Sequence, residues 1–164
     1  MKRSWTLLVC LAMTAAINHP STAHDLNAEH HLHLAQAVVP EAERKLGKQL
    51  MKDGPTKSSG ISAVNVLGTL PLDGEFKSSN GLVMRVREIV TEPGGVVAVH
   101  QHNNRPGIAY VLSGEMTEHR ASDPTSNIKK TGDVAMESSG VVHWWENRGS
   151  VPSRAIVVDI VPAQ

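Results

Sequence analysis

Three histidines constrain this chain more than any other feature. His100 and His102 sit in one glycine-bounded frame: Gly94, five residues, His100, one residue, His102, then Tyr110-Val111-Leu112 and Gly114. His143 sits in a second: Gly132, five residues, Ser138, Gly140, His143 and Asn147. Side chains at i and i+2 of a strand leave on the same face, so the first two imidazoles can reach one ion. Two ligands are too few for tight binding. His143, arriving from another strand behind a glycine-containing turn, supplies the third.

The surrounding chain reads as strand after strand. Candidates are 63–67, 82–90, 95–101, 108–112, 115–121, 133–137, 141–146 and 154–161, separated by Asn80-Gly81, Pro93-Gly94-Gly95, Ser113-Gly114, Asp123-Pro124 and Thr131-Gly132. Short strands at this spacing, punctuated by such turns, predict an all-β sandwich or barrel.

The two frames together resemble the two consensus motifs of the cupin superfamily, in its single-domain form, over Gly94 to Asn147. The resemblance implies a double-stranded β-helix, that is, a jelly-roll barrel, with His100, His102 and His143 as the ligands of one divalent metal. Fe(II) is the first expectation, with Mn, Cu, Zn or Ni as the others. Two positions depart from the family pattern. Gly107 stands five residues after the second His, where the family usually has Glu, and Ser138 stands for the usual Pro. Three neutral imidazoles without a carboxylate would leave the ion its full charge and favour an anionic substrate, with positions open for substrate or dioxygen. On this reading Gly107→Glu should tighten metal binding. The competing reading is a relic triplet in a barrel that binds a small anion or nothing.

Alternation in the two His strands selects the pocket walls: Val96 and Ala98 with His100 and His102, and Trp145 and Asn147 with His143, joined by Tyr110 of the first frame. Leu82, Met84 and Val86 are expected to form another wall. Trp144 points the other way, toward a sheet or dimer interface. Arg105, in the loop after His102, is either a contact for a substrate anion at the cavity mouth or an ordinary exposed loop arginine. His119 is expected on the surface, and Glu92 and Glu146 are weak substitutes for the missing carboxylate. No acid–base pair is evident beside the motif, which favours oxygen chemistry over proton transfer.

The amino terminus carries an address. Lys2 and Arg3 precede a mostly apolar run from Trp5 to Ile17, and Ser21-Thr22-Ala23 follows Pro20, so a signal peptide over 1–23 is expected, cleaved after Ala23 and giving a periplasmic or secreted protein. The run is shorter than the roughly 20 residues of a membrane span. Cys10 is the chain's one cysteine and lies inside this run, which excludes a disulfide framework and thiolate ligands from the mature protein. Lipid attachment at Cys10 lacks the small residue expected at Val9.

The next segment, 24–60, holds a His-rich tract of His24, His30, His31 and His33, either a metal scavenger or a solvated end. A short helix over about 40–52 follows, with Leu46 and Leu50 four apart, and then a linker over 56–60. The barrel is expected over 61–164. Basic and acidic residues balance at 16 each, which gives no basic stripe for nucleic acid. The sequence therefore predicts an exported mononuclear-metal protein, a small-molecule dioxygenase or oxidoreductase, forming a homodimer. The alternative is a non-catalytic module that binds a small anion or metal.

Overall fold

The computed structural model describes residues 38–163. The expected signal peptide and His-rich tract lie outside them. Helix α1 (Glu41–Leu50) is followed by β1 (Ser59–Pro71), β2 (Leu82–Gln101), β3 (Gly107–Ser113), β4 (Glu115–Arg120), β5 (Asp123–Lys130), β6 (Val134–Glu137), β7 (Val142–Glu146) and β8 (Ser153–Pro162). All pairings are antiparallel, in the order β5-β4-β7-β2-β8-β3-β6, with β1 on the free side of β2. The strands curl into a nearly closed barrel, the jelly roll that the sequence predicts.

Strand β2 is the spine. Its first half pairs with β8, from Leu82↔Pro162 to Thr91↔Ser153, and its second half pairs with β7, from Val96↔Glu146 to Gln101↔Val142. The partner changes at Pro93-Gly94-Gly95, where Gly94 takes φ +75°. This stretch, expected as a turn between two strands, instead bends one strand so that it serves both halves of the barrel. Strand β5 was also hidden: Asp123-Pro124 reads as a turn, yet Asp123 already opens the ladder to β4.

Helix α1 packs on β2 through an unexpected face. Leu46 and Leu50 are largely exposed, while Gly47 is buried, and a Cβ added there would lie 2.7 Å from His100 Cα. The absence of a side chain lets the helix backbone approach the metal-motif strand directly. Just before the helix, Val38 and Val39 sit in the core with Ile61, Ile89, Val97, Met116, Trp145 and Val157. The expected linker is also packed, since Ser58 is buried and its Oγ accepts from Ala98 N at 3.0 Å. Residues 38–58 are thus an integral strap on the barrel.

Candidate metal centre

His100 and His143 are directly opposed in the β2–β7 ladder, and His102 follows at the end of β2. All three are buried, and one ring nitrogen from each lies within 4.8 Å of the others. His143 Nε2 is 3.0 Å from His102 Nε2 and 3.1 Å from His100 Nε2.

The opposite edges of the rings set the tautomers. His100 Nδ1 donates to Ala98 O at 2.7 Å, and His102 Nδ1 donates to Arg105 O at 3.1 Å. A carbonyl oxygen can only accept, so both Nδ1 atoms carry hydrogen and both Nε2 atoms carry lone pairs. His143 Nδ1 donates to Glu118 Oε1 at 2.7 Å, which leaves its Nε2 in the same state. Burial, and then the neighbouring rings, push His100 well below the ordinary histidine pKa. Burial does the same to His143, with His102 adding to it, and burial with Arg105 brings His102 down to about 4. Three neutral imidazoles therefore aim lone pairs at one another with no proton between them.

This donor set fits a first-row divalent ion. A separation of about 3 Å is that of two nitrogens, each about 2.1 Å from one ion and at right angles to each other. The hydrogen-bonded Nδ1 atoms are the outer partners that orient such ligands.

The cavity beside the cluster has a volume of about 60 Å³. Its walls are mostly apolar, from Val38, Val39, Ile89, Val97, Val111, Met116 and Trp145, while His100, Arg87, Arg105 and Glu137 form a polar end. Trp145 also lines this cavity, edge-on to His143 at 5.4 Å between ring centroids.

Seven of the expected pocket walls lie elsewhere. Val97 pairs with Trp145 and His100 with His143, so three steps on β2 match two on β7. This bulge shifts the phase, placing Val97 inside in place of Val96 and Ala98. Ala98 is fully buried in the bulge, and its carbonyl anchors His100. Tyr110 is 40% exposed, because Ala109 and Val111 take the inner positions of β3. Asn147 is a structural tie: its Nδ2 donates to Thr91 O and Val151 O, and its Oδ1 accepts from Gly149 N, each at 2.9 Å. On the first half of β2 the inner wall is Arg87 and Ile89, not Leu82, Met84 and Val86.

Arg105 is not an exposed loop residue but lines the cavity. It is buried, with Nε donating to Glu43 Oε2 at 2.7 Å and Oε1 at 2.8 Å, and Nη1 to Asp159 Oδ2 at 3.1 Å. Asp159 also receives Arg87 Nη2 at 2.9 Å and Arg85 Nη2 at 2.8 Å. Three guanidinium groups thus gather around one carboxylate, with Glu43 on Arg105 and the Glu137 carboxyl at the same end of the cavity. Burial raises the Asp159 carboxyl, but the Arg85 hydrogen bonds and the Arg87, Arg85 and Arg105 charges outweigh it, so the net shift is downward.

Sequence reasoning missed two acids at the cluster, Glu118 and Glu137. Burial raises both, and Glu137 reaches about 7. Glu137 Oε1 lies 3.7 Å from His143 Nε2, and its Oε2 lies 3.8 Å from His102 Nε2. An ionisable carboxyl beside the motif removes the argument that oxygen chemistry is favoured by the lack of one. The signal was an inverted alternation in β6, where Ala135 and Glu137 face inward while Val134 and Met136 are exposed. Outside the barrel, His119 stacks on Trp144 at 3.8 Å and meets Glu146 at 2.7 Å, which turns Glu146 away from the cluster. Glu92 lies in the bend of β2, outside the cavity lining.

Residues 87–159 match the family described as "Cupin domain". Among curated proteins, germin-like protein 1 of Brassica napus is 29% identical over 86 residues, which cover 51% of this chain and 42% of that protein. Germin-like protein subfamily 3 member 1 of Arabidopsis thaliana is 25% identical over 105 residues, or 62% of this chain and 50% of that one. The chain thus spans at most half the length of these two relatives. A solved structure described as a predicted oxalate decarboxylase from Thermotoga maritima is 25% identical, with a TM-score of 0.48, over 68% of this chain and 86% of its own. Among the described residues no helix is long and apolar enough to cross a membrane. The matching segment, which holds all three histidines and most of the antiparallel barrel, identifies residues 87–159 of this chain as a cupin domain.

Proposed function

We propose that the protein is an exported mononuclear-metal oxidoreductase, dioxygenase-like in its chemistry, acting on a small anionic molecule. The observation that carries this reading is the convergence of three neutral imidazole lone pairs at the polar end of a small, mostly apolar cavity. A bound ion, Fe(II) first, would supply Lewis acidity and redox capacity at that point. The chain's own residues do the rest. Ala98 O, Arg105 O and Glu118 hold the rings in the ligating tautomer, the Val38, Val97 and Met116 walls exclude water, and the Arg87–Arg105 side attracts negative charge. Export rests on the 1–23 segment alone.

A cavity of about 60 Å³ admits only a molecule of a few non-hydrogen atoms. Its small size, with Val38 and Val39 in its lining, favours a second reading: a non-catalytic module that captures a small anion or the metal itself. A homodimer completes the proposal. The edge of β6, which has no strand partner other than β3 among the described residues, and the exposed Ile108, Tyr110, Val134 and Met136 form the face we assign to a second copy.

The test is elemental mass spectrometry on the chain recovered from the export compartment, followed by oxygen uptake with a panel of small carboxylic acids. One redox-active ion per chain, lost in His143→Ala, together with acid-dependent oxygen uptake, is the expected result. Anion binding without any uptake would establish the binding module instead.

A further inference from the structure

We infer that Glu137 is the carboxylate ligand of this centre, delivered from β6 into the space that Gly107 leaves free on β3. The inference rests on the metal-centre reading of the three histidines and adds a fourth ligand to it.

Gly107 and Glu137 are directly opposed in the antiparallel β3–β6 ladder. Opposed residues point to the same face, with Cβ atoms about 5 Å apart, so a side chain on either one enters the same region. Here a single carboxylate occupies it. A Cβ added to Gly107 would lie 3.3 Å from Glu137 Oε2. The glycine therefore does more than vacate a position, because it makes room for an acid from the neighbouring strand.

The Glu137 carboxylate is aimed at the ligating side of the rings. Its two oxygens lie 3.7 and 3.8 Å from the Nε2 atoms of His143 and His102, and its side chain is 5% exposed. Those nitrogens carry lone pairs, and the gap of 3.7–3.8 Å is too long for a direct hydrogen bond, so acceptors from both sides face one space. The other buried acids near the centre are engaged elsewhere. Glu118 serves the far edge of His143 and accepts from Arg120 Nε at 2.7 Å, while Asp159 is held by three arginines. At 3.7 and 3.8 Å from two of the ligating nitrogens, the Glu137 carboxylate would be within reach of an ion held by the three rings.

This assignment changes the charge of the site. Three imidazoles leave a divalent ion at two positive charges, and an added carboxylate leaves it at one. An oxygen donor also shifts preference toward harder ions such as Mn(II) and Fe(II), and away from Cu(I).

Cobalt(II) titration of the purified full chain tests the inference, with visible absorption reporting the ligand set and a chromogenic chelator in competition reporting affinity. The His143→Ala chain measures what the N-terminal histidines contribute. The expected result is that Glu137→Gln binds one cobalt roughly 10–100-fold more weakly than the natural chain, with a shifted ligand-field band. Glu137→Asp, which keeps the charge but shortens the reach, should fall between the two, and it carries the test if the glutamine variant does not fold. Unchanged affinity and an unchanged band in Glu137→Gln, with binding lost in His143→Ala, overturn the carboxylate assignment and leave the three-histidine centre standing. Unchanged binding in His143→Ala overturns the centre itself.

Discussion

His143 donates its Nδ1 hydrogen to Glu118 Oε1 across 2.7 Å, and Arg120 Nε reaches the same oxygen at 2.7 Å. The acid is buried, so this contact both orients the ring and makes it a better electron donor at the opposite nitrogen. Glu118→Gln is expected to weaken metal binding roughly 10–100-fold without abolishing it. Competition against a chelator checks this, and a change of less than twofold would remove Glu118 from the centre.

Gly107→Glu should act opposite to the expectation from the motif alone. The added Cβ would meet Val158 O at 2.8 Å and Glu137 Oε2 at 3.3 Å, and the second carboxylate would crowd the first. Weaker metal affinity and a lower melting temperature are expected; tighter binding would show that the position accepts the acid after all.

Gly47→Ala sets two effects against each other. Alanine favours a helix interior over glycine by about 1 kcal/mol. The new Cβ, however, would lie 2.7–2.9 Å from three backbone atoms of His100, which cannot rotate away. Overpacking costs typically about 1–3 kcal/mol, so a net loss of stability is expected in denaturant titration, accompanied by weaker metal binding as His100 is displaced.

Asp159→Asn would leave three buried or half-buried guanidinium groups around a neutral amide. The expected cost at neutral pH is about 3–5 kcal/mol. The Asp159 pKa is lowered in the folded state, so its stabilisation is complete above the ordinary value near 3.8 and is lost as pH falls through the depressed one. The stability gap between the two chains should therefore be constant above about pH 4 and narrow below it. A gap that widened on acidification would contradict the ion-pair account.

Met136→Lys places a charge in the centre of the exposed β3–β6 face, where Met136 opposes Ile108. Sedimentation velocity should show a dimer for the natural chain and a monomer for the variant. Identical sedimentation of the two would take the dimer interface off this face.

The barrel was legible because strand periodicity and turn residues are local signals, and the histidine cluster because two short frames fix its members. The walls were not, because one residue's slip in β2 between Val97 and His100 reverses every inward assignment upstream of it. Glu137 and Arg87 escaped for a different reason. Apolar alternation assigns charged residues outward, whereas here Arg85 and Arg87 find Asp159 on the adjacent strand, and Glu137 faces the cluster. Long-range compensation of this kind leaves no trace in a local window. The helix over 40–52 was legible but its packing face was not, because the packing element is Gly47 while Leu46 and Leu50 lie on the outer side.

That strap sets a time order on folding. Residues 38–58 leave the ribosome before any strand they touch, yet Val38 O waits for Arg87, 49 positions later, and Glu43 waits for Arg105, 62 positions later. Arg85 and Arg87 in turn wait for Asp159 near the other end. Contacts so distant along the chain pay their loop-closure entropy before they return any stability. The strap is therefore expected to be seated after local hairpins such as β4–β5, whose ladder joins Arg120 to Asp123 only a few positions apart.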